Sequence, residues 1–206
     1  MRALFKEKYV VGAVAFWAIL TVAALAALNA YAAKPGPPTV RSDWPAESTL
    51  SRVPGKPTLV LLLHPRCPCS EATLNELARA LPGFADDAPI HVLFSLPKNA
   101  GQDWRQNDLV AQAGKIPGTT IHFDEDGIES ARFGGRVSGH ALLFDANGHC
   151  IFSGGLTQSR GHDGETAGRD LITRVLVDHE ANVQPLRSPV FGCALYRIAS
   201  SNRSPS

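Results

Sequence analysis

From Val10 to about Ala33 the chain is apolar except for Thr21 and Asn29, and it carries no charge. About 23 such residues at about 1.5 Å each make a helix of roughly 35 Å, enough to cross a hydrocarbon core of about 30 Å. Arg2, Lys6 and Lys8 precede the run against a single Glu7. That basic excess holds residues 1–9 in the cytoplasm and sends everything after the run across the membrane. Residues 10–33 are therefore read as a transmembrane signal-anchor. The triplet Ala30-Tyr31-Ala32 also has the small-x-small form of a signal-peptidase site, so a signal cleaved after Ala32 is the rival reading. The run exceeds the usual signal core of about 7–15 residues, which favours the anchor. Either way the rest of the chain faces the periplasmic, extracytoplasmic side of the cell (inner) membrane.

Residues 34–57 contain Pro35, Pro37, Pro38, Pro45, Pro54 and Pro57 with Gly36 and Gly55. Proline fixes φ and removes a backbone donor, so this stretch is expected to be an extended, semi-stiff spacer. Residues 58–180 hold the folded domain, and residues 181–206 a C-terminal extension ending in a frayed tail from Ser200. In a chain of 206 residues that leaves room for one domain with appendages. Twenty Lys and Arg against 19 Asp and Glu leave a net charge of +1. With no basic stripe to neutralise phosphates, nucleic acid is not an expected partner. Four cysteines, Cys67, Cys69, Cys150 and Cys193, are too few for a disulfide-stapled mini-fold.

Within the domain, Thr58 to Leu63 is a continuous apolar run, as in a strand buried on both faces. It leads through His64-Pro65-Arg66 to Cys67-Pro68-Cys69-Ser70. A helix follows, with Leu74, Leu77, Ala78 and Leu81 on one face, stopped at Pro82-Gly83. Ile90 to Leu96 is a second strand. Asp103 to Gln106 resembles a capping box opening a short helix to about Ala113. Gly118 to Phe123 is a third strand, and Ile128 to Phe133 a helical turn or two. Ala141 to Phe144 and Cys150 to Ser153 form a hairpin around Asn147-Gly148, both residues tolerating positive φ. Leu171, Ile172, Val175, Leu176 and His179 give the last helical face. This alternation specifies an α/β domain, a mixed sheet flanked by helices with an antiparallel hairpin at one edge.

That order, with cysteines just after the first long strand, resembles the thioredoxin-like fold in its membrane-anchored extracytoplasmic branch. Carrying the resemblance are Leu59 to Leu63, Cys67 to Ser70, and Phe133 to His140 before the hairpin. Phe152 to Thr157, with Arg160-Gly161-His162, is similar to the bacterial group labelled RedB. The resemblance implies a thiol–disulfide oxidoreductase acting on protein thiols or disulfides. Cys67, Cys69 and Ser70 are its catalytic positions, and Arg66, Pro68 and His140 adjoin them. The family's pair is Cys-x-x-Cys, whereas here it is Cys-x-Cys. With Cys67 as the first cysteine, Leu74 and Leu77 turn inward and Ser70 takes the resolving position. His140 stands where the family has a cis-proline facing the cysteines.

Chemically, a helix N-terminus favours a thiolate. Cys67 is expected there, open to solvent, with Arg66 as a second source of positive potential. Cysteines two apart have Cα atoms near the upper bridging limit of about 6.8 Å, so a Cys67–Cys69 bridge is strained and labile. Cys193 is a possible resolving partner folding back from beyond the last helix. No cofactor is required for exchange. A second reading takes Cys67, Cys69 and His140 as a soft ligand set for copper or zinc, similar to copper-assembly proteins of the same fold. His64 is a further possible ligand, and Arg160 and His162 possible neighbours of the cysteines. A third is a non-catalytic binding module. Cys150 is expected to be a buried small hydrophobe.

Overall fold

The computed structural model describes residues 2–37, 39, 41–80, 88–164, 166–177 and 186–195. Pro82 and Gly83, His179 and the tail from Ser200 lie outside them. Two compact units divide the chain near Lys34. In the first, Arg2–Ala32 is a single helix, α1. The most apolar 18 residues of its Lys8–Ala32 stretch have a mean hydropathy of 2.3, and the stretch is long and apolar enough to cross a membrane. Phe16, Trp17, Ile19, Leu20 and Leu25 are all exposed, the pattern of a helix suited to an apolar medium on every side. Thr21 fits because its hydroxyl donates to the Trp17 carbonyl at 2.9 Å.

The second unit contains β1 (Thr58–Leu63), α2 (Pro68–Ala80), β2 (Ile90–Leu96), α3 (Gln102–Arg105) and α4 (Asp108–Gly114). Then come β3 (Thr119–Glu125), α5 (Ile128–Arg132), β4 (His140–Phe144), β5 (Cys150–Gly155), α6 (Ala167–Val177) and β6 (Leu186–Arg187). The strands form one six-stranded sheet in the order β3-β2-β1-β4-β5-β6. β1, β2 and β3 are parallel, β4 runs antiparallel to β1, and β5 antiparallel to β4. A parallel β-α-β unit, a hairpin on its other flank and a closing helix, with β1 central, make the thioredoxin-like fold.

Alternation along β1 divides the core. Leu59, Leu61 and Leu63 pack with Leu74 and Leu77 of α2, Val110 and Ala113 of α4, and Ile172 of α6. Val60 and Leu62 face the other way, toward Phe133, Leu142 and Phe144. The residues that the helical period assigned to the inner face of α2, Leu74 and Leu77, are fully buried.

Several local expectations are corrected. The helix expected from Asp103 is two short pieces. The second is capped by Asn107, whose side chain accepts from Val110 N–H at 3.0 Å, while Asp103 is drawn away by Arg66. In the hairpin turn Asp145 does the capping, its carboxylate accepting from Asn147 and His149 N–H at 2.9 and 2.8 Å. Of the Asn-Gly pair, Gly148 alone takes a positive φ, of 95°.

The stretch read as a spacer is extended, but it lies along the second core face. Ser42 and Trp44 exchange backbone hydrogen bonds with Cys150 and Gly148, at 2.7 and 2.8 Å. Trp44 sets its ring edge-on to Phe133 and Phe144, with centroids 5.0 Å away in both cases. A tryptophan in a proline-rich chain has little to bury itself against except the domain, and burial of a ring that large overrides the solvated path. The C-terminal extension also returns: β6 pairs in parallel with β5.

Candidate active site

β1 ends at Leu63, and a tight turn reverses the chain into α2. Cys67 N–H donates to the His64 carbonyl at 3.2 Å, and His64 N–H to the Ser70 hydroxyl at 3.0 Å. Pro68 is the first helical residue, a position where its missing N–H costs nothing. The carbonyl of Cys67 accepts from Ser70 and Glu71 N–H at 2.9 and 3.4 Å. Cys67 is thus the N-cap, with its side chain at the positive end of α2.

Two further segments close over that end. Before β4, Gly139 adopts φ +83° and donates to the Leu62 carbonyl at 2.9 Å, which brings Ser138 down to the helix start. Beyond β6, the chain from Val190 to Leu195 lies across Ser138. Ser138 N–H donates to the Cys193 carbonyl at 2.8 Å, and Cys193 N–H donates to the Ser138 hydroxyl at 3.0 Å. Glycine is required at 192, because a Cβ there would sit 1.8 Å from the Ser138 carbonyl oxygen. The Arg160 guanidinium donates to the Gly192 carbonyl and pins the segment from the other side.

The result is a cluster of sulfur. The Sγ atoms of Cys67, Cys69 and Cys193 all lie within 4.8 Å of one another. The Cys67 and Cys193 sulfurs are 2.6 Å apart, and the Ser138 hydroxyl donates to Cys67 Sγ at 3.2 Å. All three cysteines are free. Hydrogen bonding from Cys69 does most to hold the Cys67 thiol down, to about 4, with the Cys193 and Ser138 donors adding to it against the opposing effect of burial. Its neighbours move the other way. Cys69 is pushed up chiefly by its bond to Cys67, and Cys193 is raised to about 11 by burial and by the same Cys67 sulfur. These opposed shifts favour the thiolate on Cys67 over its two neighbours.

Several expectations change on this geometry. Cys67 is at the helix start, yet only 3% exposed. The extension carrying Cys193 covers it, and access runs along a groove of about 410 Å³ lined by Pro65, Cys67, Pro68, Leu109 and Gln112. Ser70 is fully buried and spends its hydroxyl on the β1–α2 turn, so it shapes the loop instead of facing Cys67. Arg66 is exposed, stacked 4.1 Å from the Trp104 ring centroid and paired with Asp103.

His140 belongs to β4, where it shares a face with Leu142 and Phe144, opposite Ala141 and Leu143 that pack toward α2. Its Nε2 lies 3.0 Å from Ser153 Oγ, and full burial lowers its pKa to about 4. The imidazole is neutral and separate from the sulfur cluster, so the proposed copper or zinc set of Cys67, Cys69 and His140 is not assembled. The residue that does face Cys67 from this loop is Ser138, which sequence reasoning passed over.

His64 stays beside the site, its pKa lowered mainly by burial, and its Nδ1 accepts from Arg66 N–H at 3.2 Å. His162 is exposed, 2.9 Å from the Arg160 carbonyl. Cys150 is 4% exposed in the second core face, its thiol raised to about 11 by burial.

No protein-family model matches this chain, and no curated protein sequence matches it. Solved structures do. A hypothetical protein of Sinorhizobium meliloti is 16% identical, with a TM-score of 0.58 over 80% of this chain and 100% of its own. An uncharacterized conserved protein of Geobacillus kaustophilus is 16% identical, with a TM-score of 0.55 over 82% and 94%. A secreted disulfide oxidoreductase of Mycobacterium tuberculosis is 16% identical, with a TM-score of 0.43 over 61% and 83%. The first two share this fold.

Proposed function

We propose that this chain is a membrane-tethered extracytoplasmic thiol–disulfide oxidoreductase in which Cys67 attacks and Cys193, not Cys69, resolves. The observation that carries the reading is the 2.6 Å approach of the Cys67 and Cys193 sulfurs at the start of α2. A Cys67–Cys69 bridge would need the distorted geometry of cysteines two apart. A partner from a remote segment is free of that constraint. Cys69 then serves as a positioning residue, donating a hydrogen bond that keeps Cys67 ionised.

In the reducing direction, the Cys67 thiolate attacks one sulfur of a substrate disulfide. The S–S bond breaks, a mixed disulfide forms, and one substrate sulfur leaves as a thiolate. Cys193 passes its proton to a departing substrate sulfur and attacks Cys67 Sγ. The second substrate sulfur is released, and the Cys67–Cys193 disulfide remains. Two electrons have passed to the substrate, whose two sulfurs take one proton from Cys193 and the other from solvent. The reverse sequence oxidises a dithiol. An oxidising compartment suits such a couple. The basic residues in the first turns of α1, ahead of its apolar stretch, argue for that side of the membrane.

The pH dependence of single-turnover exchange tests the activated thiolate. The reduced full chain in detergent is mixed with Ellman's reagent, and the fast phase assigned by its loss in Cys67→Ser. An ordinary thiol with a pKa of about 8.5 slows about tenfold per pH unit below it. Cys67, lowered to about 4, is ionised throughout pH 6 to 8, so its rate should be nearly flat there. A fast phase falling tenfold per unit across that range would overturn the reading.

A further inference from the structure

Three sulfurs converge where a two-electron couple needs only two. Cys69 is 4% exposed, and its sulfur lies within 4.8 Å of both others. We infer that, when reduced, Cys67, Cys69 and Cys193 form an all-sulfur site for one soft, low-coordinate metal ion, monovalent copper being the chemical fit. The metal–sulfur bond length of about 2.3 Å requires sulfurs about 4 Å apart around a three-coordinate ion. The cluster spans that separation once Cys193 withdraws from its 2.6 Å approach to Cys67. The two ends differ in their freedom to move. Cys67 is buried at the helix start, whereas Cys193, though its backbone is held by Ser138, has an exposed side chain whose rotation can carry its sulfur outward.

The choice of ion follows from the donors. Among the described residues no His, Asp or Glu completes the group. Zinc favours four ligands, whereas thiolates alone in low number select copper(I). The surroundings suit the negative charge of a thiolate complex. The N-terminus of α2 points at it, Ser138 donates to Cys67, Gly161 N–H donates to Cys69, and the Arg160 charge acts on Cys193. Such outer contacts orient ligands and stabilise the bound ion. Binding displaces the protons of Cys69 and Cys193 to solvent and changes no oxidation state. Bonding Cys67 to Cys193 removes two ligands, so the metal and the disulfide exclude each other.

The test is an anaerobic titration of the reduced full chain in detergent with copper(I), against a chromophoric chelator. The site predicts one equivalent bound more tightly than micromolar, weakened at least 100-fold in Cys193→Ser and in Cys69→Ser. Cys150→Ala should bind as the parent does. Circular dichroism confirms that each variant is folded. Bound copper should also slow formation of the Cys67–Cys193 bridge by an added oxidant. Binding no tighter than micromolar, affinity unaffected in folded Cys193→Ser, or tighter binding of zinc than of copper(I) would overturn the inference. Exchange with Ellman's reagent is read separately, so loss of one property leaves the other standing.

Discussion

Replacing Cys193 by serine is expected to leave the first half of exchange intact and to block the second. With a protein or glutathione disulfide as substrate, Cys193→Ser should accumulate a mixed disulfide on Cys67 approaching one equivalent. Steady turnover should fall by roughly 100-fold or more, because an intramolecular thiol held in place is replaced by whatever thiol diffuses in. Cys67→Ser should form no adduct and show no turnover. Cys69→Ser is the discriminating case. Removing its hydrogen bond weakens the Cys67 thiolate but leaves the resolving sulfur 2.6 Å away, so turnover should drop several-fold and no adduct should persist. Non-reducing electrophoresis and intact-mass measurement read all three. Adduct accumulation in Cys69→Ser, with normal release in Cys193→Ser, would assign resolution to the other cysteine.

Oxidation should also raise thermal stability by an amount that identifies the bridge. Cys67 and Cys193 are 126 residues apart. Closing a loop of that size removes about 4–5 kcal/mol of unfolded-chain entropy, whereas a loop of three residues removes far less. For a domain of this size each kcal/mol moves the midpoint by about 2–4 °C. The oxidised protein should therefore melt roughly 10–15 °C above the reduced one. Cys193→Ser should melt at the same temperature under both conditions. A midpoint unchanged by oxidation in the parent, or one that still rises in Cys193→Ser, would contradict the long bridge.

What the sequence discloses here is the local part. The uncharged apolar run appears as a helix able to span a membrane, because length and hydropathy decide that alone. The β1 run, the inward face of α2 and the placing of Cys67 at the helix start depend on period and on short-range geometry. Contacts made by chain return are another matter. Nothing near Cys193 in sequence says that β6 will pair with β5 and lay the following residues over Ser138. Its role was visible only as a spare thiol with somewhere to go.

His140 was misplaced by one parity step. A strand that begins at His140 itself turns that side chain away from α2, and every residue of the strand is buried, so no polar–apolar alternation betrays the face. Ser138 escaped notice because a small hydroxyl residue in a glycine-rich loop resembles a turn former. Trp44 was the signal that the proline-rich stretch would not stay in solvent. An aromatic ring there finds its partners in Phe133 and Phe144, about 90 and 100 residues downstream, at 5.0 Å each.

The most direct test is to oxidise the full chain with oxidised glutathione, block free thiols with an alkylating reagent in acid, digest, and map cross-linked peptides by mass spectrometry. One peptide joining Cys67 to Cys193 should dominate, with Cys69 and Cys150 alkylated. A Cys67–Cys69 bridge, or a fully alkylated Cys193 after complete oxidation of Cys67, would contradict the account.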